Sequence, residues 1–437
     1  MMKRIPRLAA AVLTALMLFL SLPAFSLAEP TVRTAPGTKD YNFGDWLFVY
    51  NFLEATDENG IKNGTKLFGD NYDPDDPETW SVDMGDDIPP YGFAYEEVDG
   101  EMRLISVACS GHDLTNYLYL FDCTELRTVY CQDNRVEDIS VAGCSKLEAL
   151  RVDGDSFLTG LDVTGCSSLE CIECFMCNIG ELDLSDCSEL RILDMEGNPV
   201  GELDVSNCPE LWYLMCENCG LSELDVSNNP RLQFLYCGVN DIDALDLSNN
   251  ERLISLNCDF TDITELDVSG CPMLEELQCV YGKLNGVDMR QNESLVLDEV
   301  VSDGRGAVGV NVSGDWMDPM FVDAYPDAGE AFLGWYNESG EQVSTDQRLY
   351  FTEDDGTVFI ARFTGADEPG PGPEPTPVIG DVDGDGEIAL ADALLAMRCA
   401  LGLMELTPEQ IEAADVNGDG EVTLVDALII LRAALGI

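Results

Sequence analysis

The sequence has little positive charge and a single histidine. Its 437 residues include 22 Lys and Arg against 83 Asp and Glu, which gives a formal net charge of −61 at pH 7. A chain this acidic repels nucleic acid and anionic membranes. Because His112 is the one histidine, a Ser/His/Asp or Cys/His catalytic site would have to be built around it. A glycosidase with paired carboxylates stays open, since acidic residues are abundant.

Long apolar runs are also missing, apart from one at the N-terminus. Basic residues precede an apolar run over residues 8–22, and the small-residue motif Ser26-Leu27-Ala28 follows it. This order is typical of a signal peptide covering residues 1–28. No later segment approaches the roughly 18 apolar residues of a membrane span. The sequence therefore predicts a secreted, extracellular protein without direct membrane insertion, whose attachment to a cell surface would need a partner.

Two near-identical acidic segments at the C-terminus share the spacing of a calcium-binding loop. Oxygen side chains stand at loop positions 1, 3, 5 and 12, a glycine stands at position 6, and the two loops begin 34 residues apart. This spacing lets short acidic side chains, the backbone carbonyl of position 7 and a closing carboxylate surround Ca²⁺. The duplication favours two calcium ions over a pair of solvated acidic turns. The residues of the two metal sites are Asp381, Asp383, Asp385, Glu387 and Asp392, then Asp415, Asn417, Asp419, Glu421 and Asp426.

The loops and the helix-length apolar runs behind them resemble a type I dockerin over residues 378–437. The resemblance includes a capping-box motif from Thr407 to Gln410. It implies a helical module that binds, with calcium, a cohesin domain of a scaffold protein, as in a cellulosome. It also implies two cohesin-binding sets related by an internal two-fold, which would allow either of two binding orientations. The sets are Leu390, Ala391, Met397 and Arg398, and Leu424, Val425, Leu431 and Arg432. The apolar residues at loop positions 10 and 11, where many dockerins carry polar ones, leave the choice of cohesin open.

The middle of the chain repeats with a period of 21 residues. The anchor leucine of each Leu-Asp-(Val/Leu)-Ser motif recurs at this step from Leu161 to Leu266 and then Val287, and weaker copies start at Leu118 and Ile139. So short a period predicts a solenoid, because one turn cannot bury its own apolar face. The consensus resembles a leucine-rich repeat, and the alternating Leu-x-Cys segment predicts a parallel sheet on the concave face.

The 17 cysteines are expected to be free, buried thiols that fill the core of the repeats. In-register turns bring cysteines close, but their Cβ vectors run parallel rather than towards each other, which disfavours disulfides. Free thiols in an exported chain would indicate an organism that lives with little oxygen. A metal at Cys171, Cys174 and Cys177 is the weaker alternative. The Asp after each anchor leucine is expected to accept hydrogen bonds within its own turn; a calcium-binding row is the alternative.

Outward strand positions predict an exposed apolar patch at the ligand-binding face of the repeats. The patch consists of Tyr213, Met215, Phe234 and Tyr236, and contiguous exposed patches usually mark contact sites. Acidic neighbours, among them Asp194, favour a basic partner. The alternative is that some of these rings fold onto their neighbours and only cap the sheet.

Composition divides the chain into six segments. These are a signal peptide (1–28), an N-terminal cap (29–104), leucine-rich repeats (105–304), a small β module (305–364), a Pro/Gly-rich linker (365–377) and the dockerin (378–437). The β module resembles the small β repeats of bacterial surface proteins. The fold class is thus a parallel-β solenoid with a small all-β module and an α-helical dockerin. We expect a non-catalytic binding protein that captures a protein or glycan; a polysaccharide-degrading enzyme and a structural spacer are the alternatives.

Overall fold

The computed structural model describes residues 41–82, 91–292, 294–312, 320–352, 357–365, 380–383, 388–401, 404, 406–416 and 422–435. The predicted signal peptide, and the predicted linker from residue 366 onwards, lie outside these ranges. The chain forms two compact units, Met1–Glu299 with Gly309–Met320 and Val300–Val308 with Phe321–Ile437. None of the helices in the described part of the chain combines the length and hydropathy needed to cross a membrane.

The first unit begins with helices and a β-hairpin that precede the repeats. Helix α1 starts after Asn42, whose side chain accepts hydrogen bonds from the N–H groups of Gly44 and Asp45. The buried carboxylate of Asp45 accepts from Arg103 Nε at 2.8 Å and from Leu104 N at 2.9 Å, which ties α1 to the hairpin. The elements are α1 (Phe43–Glu54), α2 (Asn63–Phe68), the 3₁₀ turns Gly69–Asn71 and Pro77–Trp80, β1 (Ser81–Val82), β2 (Tyr91–Val98) and β3 (Glu101–Ala108).

The repeats stack as short parallel strands, as the period predicts. Ala108 pairs with Tyr130 and then, turn by turn, the register advances by 21 or 22 residues to Gln278. The main parallel sheet of the repeats contains β3, β5 (Thr128–Tyr130), β7 (Ala149–Arg151), β9 (Cys171–Glu173), β10 (Ile192–Asp194), β11 (Tyr213–Met215), β12 (Phe234–Tyr236), β13 (Ser255–Asn257) and β15 (Glu276–Cys279). The anchor-leucine side carries β4 (Thr115–Tyr119), β6 (Arg135–Ser140), β8 (Gly160–Asp162), β14 (Leu266–Asp267) and β16 (Gly286–Asp288).

The core of the solenoid is made of leucines and cysteines at fixed positions. All 17 cysteines lie in the described part of the chain, all are free, and all but Cys399 are buried. The Sγ atoms of Cys258 and Cys279 lie 2.8 Å apart as free thiols. At one position of the repeat, some turns have a cysteine where other turns have an asparagine. Asn229 Nδ2 donates to Val205 O at 3.0 Å, and Cys166 Sγ donates to Val141 O at 3.2 Å from the corresponding place.

The aspartates after the anchor leucines act within their own turns, as expected from the sequence. Asp204 and Asp225 each accept a hydrogen bond at 2.9 Å from the N–H two residues later. Hydrogen bonds from the side chain and the backbone of Ser206 lower the pKa of Asp204. The carboxylates thus replace backbone partners that the tight turns lack.

The second unit contains a small β module. Its antiparallel pairs are β19 (Phe321–Pro326) with β22 (Arg348–Tyr350), and β20 (Glu330–Tyr336) with both β21 (Gln342–Ser344) and β23 (Val358–Gly365). Trp335 is fully buried and donates from Nε1 to Gln347 O at 3.1 Å, so it is a core residue rather than a sugar platform. The strands after the repeats are β17 (Glu299–Ser302), β18 (Gly306–Asn311), β19 (Phe321–Pro326), β20 (Glu330–Tyr336), β21 (Gln342–Ser344), β22 (Arg348–Tyr350) and β23 (Val358–Gly365).

Three helices follow in the same unit. They are α3 (Leu390–Ala400), α4 (Pro408–Ala414) and α5 (Leu424–Leu435), and α3 packs against α5. The capping box predicted before α4 is present. Thr407 Oγ1 accepts from Gln410 N, and Gln410 Oε1 accepts from Thr407 N at 3.0 Å. Each long helix follows one of the acidic loops, so the duplication in sequence is also a duplication in structure.

Candidate functional site

The first acidic loop brings three carboxylates together before helix α3. Oxygens of Asp381, Asp383 and Asp392 all lie within 4.8 Å of one another. Asp392, in the first turn of α3, is fully buried and accepts hydrogen bonds from the N–H groups of Val382 at 2.6 Å and Ala389 at 2.7 Å. Burial raises the pKa of Asp392. Among the described residues no other group of His, Cys, Asp or Glu is this compact.

The second loop also places a buried aspartate in the first turn of the helix that follows it, α5. Asp426 is fully buried, and its carboxylate accepts from Thr423 N at 2.9 Å and from Thr423 Oγ1 at 2.8 Å. Asp415 ends helix α4 through a hydrogen bond from its N–H to Ile411 O. The remaining candidate ligands lie outside the described residues: Asp385, Glu387, Asn417, Asp419 and Glu421.

The donor set of the first loop fits calcium. Calcium takes several oxygen ligands, and clustered carboxylates repel each other until a cation neutralises them. Each carboxylate oxygen can accept more than one hydrogen bond or ligand contact. Asp392 can therefore hold the loop backbone and still offer oxygen to a metal. The cysteines Cys171, Cys174 and Cys177 do not form a comparable group among the described residues.

The predicted cohesin-binding positions lie on the two helices that follow the loops. Met397 and Arg398 on α3, and Leu431 on α5, are half-buried, and Leu424 and Arg432 are exposed. The side chains of Leu390, Ala391 and Val425 lie outside the described part of the structure. Two leucines that were not predicted as contacts, Leu394 and Leu428, are exposed on the same helices and stand 34 residues apart. Their spacing of four residues from positions 390 and 424 was the available signal.

The predicted ligand patch is a cluster of packed rings. The centroid of the Tyr213 ring lies 6.2 Å from that of the Phe234 ring and 5.8 Å from that of the Tyr236 ring. The prediction of an exposed patch is wrong for Tyr213 and Tyr236, which are 8% and 7% exposed, and the alternative of rings folded onto their neighbours fits them. Strands of one sheet lie about 4.8 Å apart, so rings from adjacent turns cover one another. Phe234 and Met215 are half-buried, and the cluster therefore offers a smaller accessible face than predicted.

Carboxylates next to the ring cluster are costly to ionise. Burial raises the pKa of Asp194 to about 7, helped by the negative charges of Glu173 and Glu196. Burial also raises the pKa of Glu173, against the opposing effect of Arg151, whose Nε lies 3.2 Å from Glu173 Oε2. Ionisation of these carboxylates is therefore unfavourable unless a cation lies beside them.

A cavity of about 340 Å³ lies at the N-terminal end of the main parallel sheet. The N-terminal hairpin contributes Tyr91, whose ring lies 4.9 Å from His112. The cavity was not predicted from the sequence, because Tyr91 of the N-terminal hairpin is distant in sequence from Tyr130 and Arg151 on the strands of the repeats. Its lining consists of Tyr91, Ala108, Ser110, Tyr130, Gln132 and Arg151.

Comparison with known families identifies the C-terminal module. Residues 379–434 match the type I dockerin domain family. No curated protein sequence matches the chain significantly. Leucine-rich repeats and dockerins are non-catalytic module types.

Solved structures similar to this chain include bacterial repeat proteins. The functional domain of InlJ from Listeria monocytogenes, described as including a cysteine ladder, is 19% identical with a TM-score of 0.34; the match covers 61% of this chain and 76% of that one. The internalin InlF of Listeria monocytogenes is 18% identical with a TM-score of 0.35, covering 44% and 58%. A leucine-rich-repeat protein of Leptospira interrogans is 14% identical with a TM-score of 0.34, covering 44% and 59%. The chain spans less than two thirds of the last two. The repeat itself is identified by the register and strand pairing within this chain.

Proposed function

Since the chain is a leucine-rich-repeat protein with a C-terminal type I dockerin domain, we propose that it is a secreted, non-catalytic binding protein of a cohesin-based extracellular complex. The dockerin attaches the chain to a cohesin, and the repeats capture a ligand. The duplicated loop and helix carry this proposal. In each copy a buried aspartate stands in the first turn of the helix: Asp392 accepts from Val382 of the first loop, and Asp426 accepts from Thr423 just before its helix.

We propose that each loop binds one calcium ion, through the ten predicted ligands. Calcium would hold the loop ligands in place and so orient helices α3 and α5 for the cohesin. The cohesin contacts are the two predicted sets, extended by Leu394 and Leu428. Because the two sets are related by the internal repeat, either one can face the cohesin.

We propose that the ligand face of the repeats is the ring cluster around Tyr213 with its acidic neighbours. Asp194 and Glu173 supply negative charge in a poorly solvated place, where a cation is attracted more strongly than in water. The partner that fits is a basic protein segment whose Lys or Arg meets the carboxylates and whose apolar part meets the rings.

One experiment with the full-length protein tests both parts. Immobilised cohesins should retain the chain in Ca²⁺ and release it in chelator. Once bound, it should capture a lysine-rich peptide but neither a glutamate-rich peptide nor neutral polysaccharide. If cohesins retain the chain neither in Ca²⁺ nor in chelator, the proposed attachment is refuted. Turnover of polysaccharide would support the enzyme alternative, and capture of no ligand from a broad panel of proteins and glycans would support the spacer.

A further inference from the structure

An arginine of the β module is held rigidly in place by its own module. Arg348 on β22 is paired across the sheet with Asp323 on β19. Its Nε and Nη2 donate to the two carboxylate oxygens of Asp323, both at 2.8 Å. The guanidinium also lies 4.1 Å from the centre of the Phe321 ring. A bidentate carboxylate and a stacked ring together fix both the position and the plane of the group.

The remaining nitrogen of this arginine reaches the first calcium loop. Nη1 of Arg348 lies 3.5 Å from Oδ2 of Asp383, and the two side chains are only 11% and 2% exposed. Asp383 is the third position of the loop and one of the three clustered carboxylates. A fixed cation of the neighbouring module therefore stands where it can neutralise a carboxylate that the proposed function gives to calcium.

Arg348 and a metal ion cannot both interact at full strength with the Asp383 carboxylate. A divalent cation bound to this carboxylate would lie within a few ångströms of the guanidinium, and like charges repel strongly where water is largely excluded. Asp323 and Phe321 oppose any withdrawal of the arginine.

We infer that Arg348 is an intramolecular competitor of calcium at the first loop. It neutralises Asp383 when calcium is scarce and lowers the calcium affinity of that loop. This inference rests on the proposed calcium binding by the loop. Coupling between two binding events is reciprocal, so calcium in turn weakens the contact between Arg348 and the dockerin. Filling of the first loop would then free the dockerin from the β module.

Calcium titration of the full-length chain by calorimetry tests the inference. The parent carries Asp415→Ala and Asp426→Ala, which leave the first loop as the site measured. Adding Arg348→Gln should tighten calcium binding about tenfold. The matched control is Arg362→Gln, because Arg362 belongs to the same module and stacks on Tyr336 at the same 4.1 Å. It should leave the affinity within twofold.

A second variant guards against damage to the β module. Arg348→Gln alone leaves the buried Asp323 carboxylate without its cation, which is destabilising. Arg348→Gln combined with Asp323→Asn replaces the ion pair by two amides, and it should give the same tighter binding. Hydrogen exchange of β22 supplies a second readout. Calcium should speed exchange there in the unmodified chain but not in the double variant.

The outcomes separate this inference from the function on which it rests. Calcium binding with unchanged affinity in both variants would overturn the role of Arg348 and leave the calcium loops intact. If neither the parent variant nor the unmodified chain binds calcium, both the proposed calcium function and this inference are overturned. Equal tightening by Arg362→Gln would show that net charge alone acts, and would also overturn the inference.

Discussion

Replacing Asp194 by asparagine should make the repeats more stable at alkaline pH. The Asp194 carboxyl has its pKa raised from 3.8 to about 7, first because it is buried and then because Glu173 and Glu196 lie near. In the unfolded chain the same group has released its proton above about pH 4. At a pH where the Asp194 carboxyl is ionised in the unfolded chain, burying this group in the folded protein therefore costs free energy of folding.

The sign follows from proton binding. Between about pH 4 and pH 7 the folded state holds a proton that the unfolded chain has lost, so the stability of the folded state falls as pH rises through this window. The whole shift from 3.8 to about 7 corresponds to roughly 4 kcal/mol, at about 1.4 kcal/mol per pKa unit. Asparagine never ionises and its side-chain oxygen can still accept from Glu196 N, as Asp194 does.

Denaturant unfolding of the wild type and Asp194→Asn at several pH values measures the effect. The variant should match the wild type within about 1 kcal/mol near pH 4 and exceed it by up to roughly 4 kcal/mol at pH 8. A lysine-rich peptide should bind the wild type more tightly at pH 8 than at pH 5, and Asp194→Asn should lose most of this pH dependence. A stability difference that does not change with pH would refute the reasoning about desolvation.

Three further predictions concern the dockerin and the thiols. Asp381→Ala with Asp392→Ala should reduce the calcium stoichiometry from two ions to one, as measured by calorimetry; two ions retained would exclude these ligands. Leu394→Asp or Leu428→Asp alone should weaken cohesin binding less than about threefold, and both together more than 100-fold, in surface plasmon resonance (estimates for buried apolar contacts); a large loss from one change alone would exclude binding in two orientations. A thiol reagent should label about one cysteine, Cys399, in the native chain, because the other sixteen are buried, and all 17 after denaturation; rapid labelling of several native thiols would contradict the packing.

The repeat and its core could be predicted from the sequence because both are local and periodic. A recurring leucine fixes the period, the period fixes the parallel register, and the register places Cys216 and Cys237 in the core, where both are buried. The capping box before helix α4 was predictable for the same reason, since Gln410 stands only three positions after Thr407.

Contacts between distant segments could not be predicted in this way. Alternation along β11 and β12 predicts outward positions for Tyr213 and Tyr236, but only the stacking of turns shows that the two rings lie against each other. The pairing of Arg348 with Asp323 and Asp383 joins two strands and a loop with no common motif. Such side-chain contacts depend on the relative placement of whole elements, which periodicity does not specify.

The fold also explains how so many free thiols could persist in the secreted protein that we propose. Oxidation proceeds through the thiolate, and burial raises the pKa of Cys187 to about 12 and that of Cys271 to about 11. Their thiolates are therefore scarce at neutral pH, and the surrounding core excludes oxidants as well as water. Several of these thiols also donate to carbonyls of the preceding turn, as Cys166 does, at positions where asparagine serves in other turns. Packing therefore slows the oxidation of these thiols, and an organism that lives with little oxygen stays a prediction from the sequence.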